Sequence, residues 1–142
     1  MSTPMPVYVL DSFALLAFFQ DEPLADAVEE LLGRAQRGEV RLVMGVANLG
    51  EVFYRTMRNF GIERAEEVLG RMEEYPIELV DVDQELALRA AYLKGSHRIA
   101  YADCLAAALA QRLGGAVVTG DPDFRQVEHL VAVQWLRSGD TQ

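Results

Sequence analysis

Five acidic side chains sit where carboxylates can do chemistry. Asp11 directly follows the apolar run Val7–Leu10, and Asp121 and Asp123 directly follow Ala116–Thr119. Asp103 lies within Tyr101–Ala110, a stretch otherwise made of apolar residues. Glu51 lies in the amphipathic stretch between residues 46 and 60. Acidic groups gathered without a His or Cys cluster are hard oxygen ligands, which suit Mg²⁺ or Mn²⁺. His97 and His129 are the only histidines, and they stand far apart in sequence. No Cys-x-x-Cys occurs, so a zinc site is not expected.

Each acid also has an ordinary explanation. Asp11 can cap the following helix, a position that Asp and Ser both favour. Asp121 and Asp123 sit among Gly and Pro, the usual residues of turns. Glu51 falls opposite the Leu49–Phe53–Met57 stripe, where an exposed i,i+4 pair with Arg55 is the simplest reading. Asp103 is harder to dismiss. On a helical wheel it shares its face with Ala106, Ala107 and Ala110, in a helix apolar enough to be buried. A buried carboxylate must be paired, protonated or metal-bound. Its place in the first turn also lets the helix dipole favour an anion. The functional argument is therefore one of combination: two strand ends and one apolar helix each carry an acid.

The elements that must position these groups can be read from periodicity. Short apolar runs at Val7–Leu10, Arg41–Met44, Ile77–Val80, Ala116–Thr119 and Leu130–Trp135 are expected as strands. Helical spacing covers Phe13–Phe19, Leu24–Arg37, Val46–Phe60, Ile62–Tyr75, Asp83 to about Leu93, and Ala100–Leu113. Asp21-Glu22-Pro23, Gly38, Gly61, Pro76 and Gly114-Gly115 punctuate them. Along one face of the third helix, Leu49, Val52, Phe53, Met57 and Phe60 are expected to meet the core. A polar tail follows the fifth strand. Strands alternating with helices imply a three-layer α/β/α sandwich around a mostly parallel sheet. Continuous apolar strands fit a sheet covered on both faces. Ligands of such folds lie beyond the carboxyl ends of the strands, where Asp11 and Asp121 fall.

The chain of 142 residues fits one domain over 1–142. Cys104 is the sole cysteine, which excludes an internal disulfide and suggests a reducing cytoplasm. No run approaches the roughly 18 uninterrupted apolar residues of a membrane span. Thirteen basic against 22 acidic residues leave a net charge of −9. That argues against a simple electrostatic nucleic-acid binder. Clustered acids that hold divalent ions would reverse the local sign.

These residues resemble the motifs of the PIN-domain family, and in particular the VapC toxins. Leu10-Asp11-Ser12-Phe13-Ala14-Leu15-Leu16-Ala17 resembles the opening motif, and Leu49-Gly50-Glu51-Val52 the central glutamate motif. Tyr101–Ala110 resembles the third acidic motif, and Val118-Thr119-Gly120-Asp121-Pro122-Asp123-Phe124 the closing one. All four occur in order across essentially the whole chain. The resemblance implies that Asp11, Glu51, Asp103 and Asp121 form a catalytic, metal-binding acidic site, with Asp123 as a fifth ligand. Ser12 and Thr119 match hydroxyl positions that support the carboxylates. Asn48 departs from the Ser or Thr of many relatives, yet can still hydrogen-bond. It further implies a Mg²⁺- or Mn²⁺-dependent endoribonuclease, a homodimer, and inhibition by a small VapB-like antitoxin. Substrate contacts are expected from Lys94, His97 and Arg98, in a loop before the Asp103 helix, and from Arg125; an ordinary solvated turn is the alternative for that loop. An aspartyl-phosphate route, as in dehalogenase-like phosphatases, needs a second Asp two residues after Asp11, where Phe13 stands. A non-catalytic RNA- or protein-binding module on the same fold is the other reading.

Overall fold

The computed structural model describes residues 4–20 and 23–137. The expected break at Asp21-Glu22 and the end of the polar tail, from residue 138 onward, lie outside the described residues. Five strands form one sheet: β1 (Val7–Leu10), β2 (Arg41–Gly45), β3 (Ile77–Val80), β4 (Ala116–Thr119) and β5 (Ala132–Trp135). Their order is β3-β2-β1-β4-β5, and all four pairings are parallel. The helices are α1 (Ser12–Phe19), α2 (Ala25–Gln36), α3 (Val46–Phe60), α4 (Ile62–Met72), α5 (Gln84–Ser96) and α6 (Tyr101–Leu113). A short 3-10 helix, Pro122–Gln126, joins β4 to the last strand. The expected α/β/α sandwich is the architecture found.

Two apolar layers hold the sheet. On one face Val9, Val43 and Val117 pack with Leu86, Ala90 and Leu93 of α5 and the alanine-rich side of α6. On the other, Leu10, Leu42, Met44 and Val118 pack with Leu15, Leu16, Val28 and Leu32 of α1 and α2 and with Val68 and Met72 of α4. Odd and even strand positions thus divide between the layers, as the two-residue pleat requires. Small side chains let α6 lie close over the sheet: Ala106, Ala107, Ala108 and Ala110 are fully buried.

Local signals end the elements as expected. Asp83 caps α5, accepting from the Leu86 N–H at 2.8 Å. Gly61, at φ 94°, joins α3 to α4 through a backbone conformation that L side chains avoid. Gly120 serves a different need. A Cβ there would lie 2.5 Å from the Phe13 ring, so only glycine lets the turn after β4 close against α1.

Two boundaries and one helix face differ from expectation in ways that bear on the site. Helix α5 runs to Ser96, so Lys94 belongs to its last turn rather than to a loop. Strand β5 starts at Ala132, because Val127–Val131 forms turns whose N–H groups bond locally. The third helix presents a different face from that expected: Asn48, Glu51, Val52 and Thr56 are buried, whereas Met57 and Phe60 are exposed. Helix α3 lies across the carboxyl edge of the sheet, between α1 and α6, so a partly polar line faces inward.

Candidate active site

The sheet order reverses between β1 and β4. Strands β2 and β3 follow on one side of β1, and β4 and β5 stand on the other. Crossovers that diverge from this point leave a crevice at the carboxyl ends of the two strands. Asp11 leaves β1 there, its N–H bonded to the Val118 carbonyl at 3.4 Å. Asp121 leaves β4 two residues beyond Thr119. Helices α3 and α6 roof the crevice, bringing Glu51 and Asp103 to it.

Six of the seven buried polar residues among the described ones belong to this edge: Asp11, Ser12, Asn48, Glu51, Asp103 and Thr119. Asp11 is both cap and buried acid. Its Oδ1 accepts from the Ala14 N–H at 3.0 Å, while only 1% of the residue is exposed. Burial pushes its carboxyl up to about 8; hydrogen bonds from Thr119 and Ala14 oppose the rise, and the charges of Asp103 and Asp121 add to it. Asp103 is pushed up to about 7, first by burial and then by the charges of Asp121, Glu51 and Asp123. Arg55 is the cation that opposes this rise. The five acids named by the sequence thus act on one another across one crevice.

Supporting contacts are built from neighbouring residues. The Ser12 hydroxyl donates to Glu51 Oε1. Arg55 pairs with Glu51 Oε2 at 3.5 Å, as i,i+4 spacing allows, and the Tyr54 hydroxyl reaches the same oxygen at 3.5 Å. The pair with Arg55 therefore exists, but Glu51 is buried rather than exposed. Thr119 Oγ1 accepts from the Asp121 N–H at 3.0 Å, and Asp121 Oδ1 accepts from the Asp123 N–H at 2.9 Å. The turn reading of these two aspartates is thus also correct. Asp121 is half-buried and Asp123 exposed. Asn48 Nδ2 donates to the Ala102 carbonyl at 3.3 Å, next to Asp103. Its Oδ1 is buried with no hydrogen-bond partner, an oxygen left without a positive group.

This donor set fits a hard divalent ion by its chemistry: it is made of carboxylate oxygens brought to one sheet edge, with no His or Cys among them. As the side chains stand, no three His, Cys, Asp or Glu residues among the described ones are close enough to share one ion. Asp11 is turned to its cap, and Glu51 to Ser12 and Arg55. Asp11, Asp103 and Asp121 are the residues that would draw in around an ion.

The expected substrate contacts divide. Arg125 lies on the 3-10 helix that Asp121 caps, its guanidinium 5.2 Å from the Trp135 ring centre. Arg98 is fixed beside this helix: its N–H donates to Gln126 Oε1 at 3.0 Å, and Gln126 Nε2 donates to its carbonyl at 2.9 Å. His97 turns Nδ1 to the Leu93 carbonyl, 2.9 Å away, and its ring lies 6.1 Å from that of His129. Lys94 is exposed, and its charge opposes the rise in the pKa of buried Cys104. Gln126 and Trp135 were not singled out from sequence, and Arg55 only as an exposed partner of Glu51. Nothing in local spacing announces a clip between residues 98 and 126, but a lone Trp ending the last strand was a visible signal.

Comparison with known proteins agrees with this fold. No curated protein sequence matches the chain. The fold is similar to that of VapBC from Salmonella typhimurium, solved bound to DNA, with a TM-score of 0.70, 18% identity, and 94% of this chain and 100% of that one covered. It is also similar to Mycobacterium tuberculosis VapC20, a sarcin–ricin loop cleaving toxin, with a TM-score of 0.67, 16% identity, and 85% and 94% covered. VapBC-1 from nontypeable Haemophilus influenzae gives 0.67, 18% identity, and 92% and 98% covered. Residues 8–130 match the family model of the PIN domain, a span that contains all five acids. The chain therefore belongs to the PIN domain family.

Proposed function

We propose that this chain is a metal-dependent endoribonuclease that hydrolyses RNA phosphodiester bonds as a single domain, and that it is the toxin of a VapBC-type pair. The observation that carries the reading is the crowding of Asp11, Glu51, Asp103 and Asp121 at the switch point of a PIN-domain sheet. Underpaired buried acids are costly for a fold, and such perturbed carboxylates cluster at functional sites.

Asp11 and Asp103 would be the principal ligands of Mg²⁺ or Mn²⁺, with Asp121 and Asp123 on the open side for a second ion. When bound, the metal supplies an activated water near neutral pH and offsets charge on the phosphate. Glu51, steadied by Ser12 and Arg55, would orient the attacking water and take its proton at Oε2. Thr119 and Asn48 hold the frame: one fixes the turn that carries Asp121, the other ties α3 to α6 beside Asp103.

Partners follow from the same reading. Structural neighbours solved as VapBC complexes support a small VapB-like antitoxin. Exposed apolar side chains on α5, Leu88 and Tyr92, support a homodimer, since large apolar residues left in water mark contact surfaces. No described helix is long and apolar enough to cross a membrane. RNA in the cytoplasm is the expected substrate pool.

The test is RNA cleavage by antitoxin-free protein with Mg²⁺ or Mn²⁺, with EDTA, and with Asp103→Asn. Metal-dependent cutting lost in the variant supports the proposal. Metal-independent RNA binding that survives both Asp11→Asn and Asp103→Asn, without cutting, would replace it with a non-catalytic module.

A further inference from the structure

An acidic crevice on a chain of net charge −9 must still receive a polyanion. Among the described residues, six of the thirteen cationic side chains are engaged in ion pairs: Arg37, Arg41, Arg55, Arg64, Arg89 and Arg112. Of the remainder, Arg34, Arg125 and Arg137 gather at one place, around Trp135 at the carboxyl end of β5.

That place adjoins the acids. Trp135 is the register partner of Thr119, and the Leu136 N–H donates to the Thr119 carbonyl at 2.8 Å. Neighbouring strands lie roughly 4.8 Å apart, and register partners in a parallel pair face the same side. Trp135 is thus one strand away from the residue that holds the Asp121 turn. A cleft of about 160 Å³ opens past the ends of these strands, lined by Gly120, Pro122, Arg125, Trp135, Leu136 and Arg137. Among the described residues its lining contains two arginines and no carboxylate. Behind Trp135 lies a second cleft of about 460 Å³, where Tyr8, Arg34 and Glu30 stand. The indole N–H is already bonded to Glu128 Oε2 at 3.3 Å, which fixes the ring, and Arg125 lies over it at 5.2 Å.

We propose that the Trp135–Arg125–Arg137 cleft is a nucleotide subsite for single-stranded RNA, holding the nucleotide next to the cleaved bond. A base adds to the Arg125–Trp135 stack, since bases stack on both aromatic rings and guanidinium planes. Its phosphate meets Arg137 and the outer edge of Arg125. Stacking of this kind accepts any base, so the subsite orients the strand more than it reads sequence. The inference rests on the ribonuclease reading and extends it to the path of the substrate.

Trp135 is the only tryptophan in the chain, so fluorescence excited selectively at tryptophan reports on the surroundings of this one ring. The full chain is titrated with a short single-stranded RNA of mixed sequence, with Ca²⁺ replacing Mg²⁺. Binding is followed both by tryptophan fluorescence and by anisotropy of end-labelled RNA. The expected result is saturable fluorescence quenching that parallels anisotropy. Trp135→Leu weakens binding roughly tenfold, within the range for one base–aromatic stack. Arg137→Gln lowers the slope of log affinity against log salt by about 0.7, the single-strand value for one phosphate contact. Arg137 is exposed, so this second variant keeps the test open if Trp135→Leu misfolds. RNA binding with unchanged fluorescence, and with Arg137→Gln indistinguishable from wild type, overturns the subsite while leaving the nuclease intact. Quenching by poly-glutamate but not by RNA overturns it in favour of an acidic protein partner. A wild type that neither binds nor cuts RNA removes the ribonuclease reading itself, and this proposal with it.

Discussion

Helix α6 contains two contrasting regions within four turns. Its first turn presents Asp103 to other acids; its middle buries Ala106, Ala107, Ala108 and Leu109 against the sheet. The apolar stretch stabilises the fold by removing hydrocarbon from water. The acidic end opposes it, because buried carboxylates resist ionising. Stability and chemistry are thus assigned to different ends of the same element, and each can be perturbed without the other.

The sharpest way to break that division is Asp103→Asn. Cleavage should fall by roughly 10³-fold or more, about 4 kcal/mol of barrier, while metal-free stability at pH 8 stays level or rises. Cleavage rates beside urea denaturation read both; a large loss of stability would show that the acid supports the fold. Leu86→Ala, in the fully buried apolar layer, is the converse. It should cost about 2–5 kcal/mol of stability and leave activity per folded molecule unchanged. Gly120→Ala probes the seam between the regions. Its new methyl meets Phe13, so a loss of about 1–3 kcal/mol is expected, together with reduced cleavage as the Asp121 turn is pushed outward.

The acidic end also has a pH signature. Unfolded, Asp11 and Asp103 ionise near 3.8; folded, they do so near 8 and 7. The folded state therefore holds protons that the unfolded chain has shed. The stability these groups contribute is complete below about pH 4 and is lost as pH rises through 7 and 8. Denaturant midpoints of EDTA-treated protein should fall across that window, and added Mg²⁺ should flatten the slope. The smallest effect expected is at the exposed Arg41–Glu78 pair, whose Nη2–Oε1 distance is 2.9 Å. Arg41→Ala should shift stability by about 0.5 kcal/mol or less, with no change in cleavage.

The apolar region was legible because its signals are local. Val7–Leu10 and Ala116–Thr119 are uninterrupted hydrophobic runs, and Gly38, Gly61 and Gly114 stop helices through their own backbone freedom. Asp103 stood out for the same reason, a charge within an apolar helix. Glu51 did not. A helical wheel shows which residues share a face, but not which face meets the sheet edge, and the polar side of α3 turned inward. Lys94 was placed in a loop by ending the helix near Leu93, yet nothing there stops it before Ser96. The Arg98–Gln126 clip and the Arg125–Trp135 stack join segments that meet only through tertiary packing, which no window of sequence contains.

The pairing of β1 with β4 has a consequence in time. It joins residues 8–10 to residues 116–118, so the first and last acids of the site are synthesised more than a hundred residues apart. A chain still emerging from the ribosome carries Asp11 and Glu51 long before Asp121 exists, and its sheet lacks the strand that completes the crevice. Truncated or half-made copies would therefore lack part of the proposed site. For a protein proposed to attack the RNA of its own cell, only finished molecules become dangerous, and by then an inhibitor has one complete surface to find.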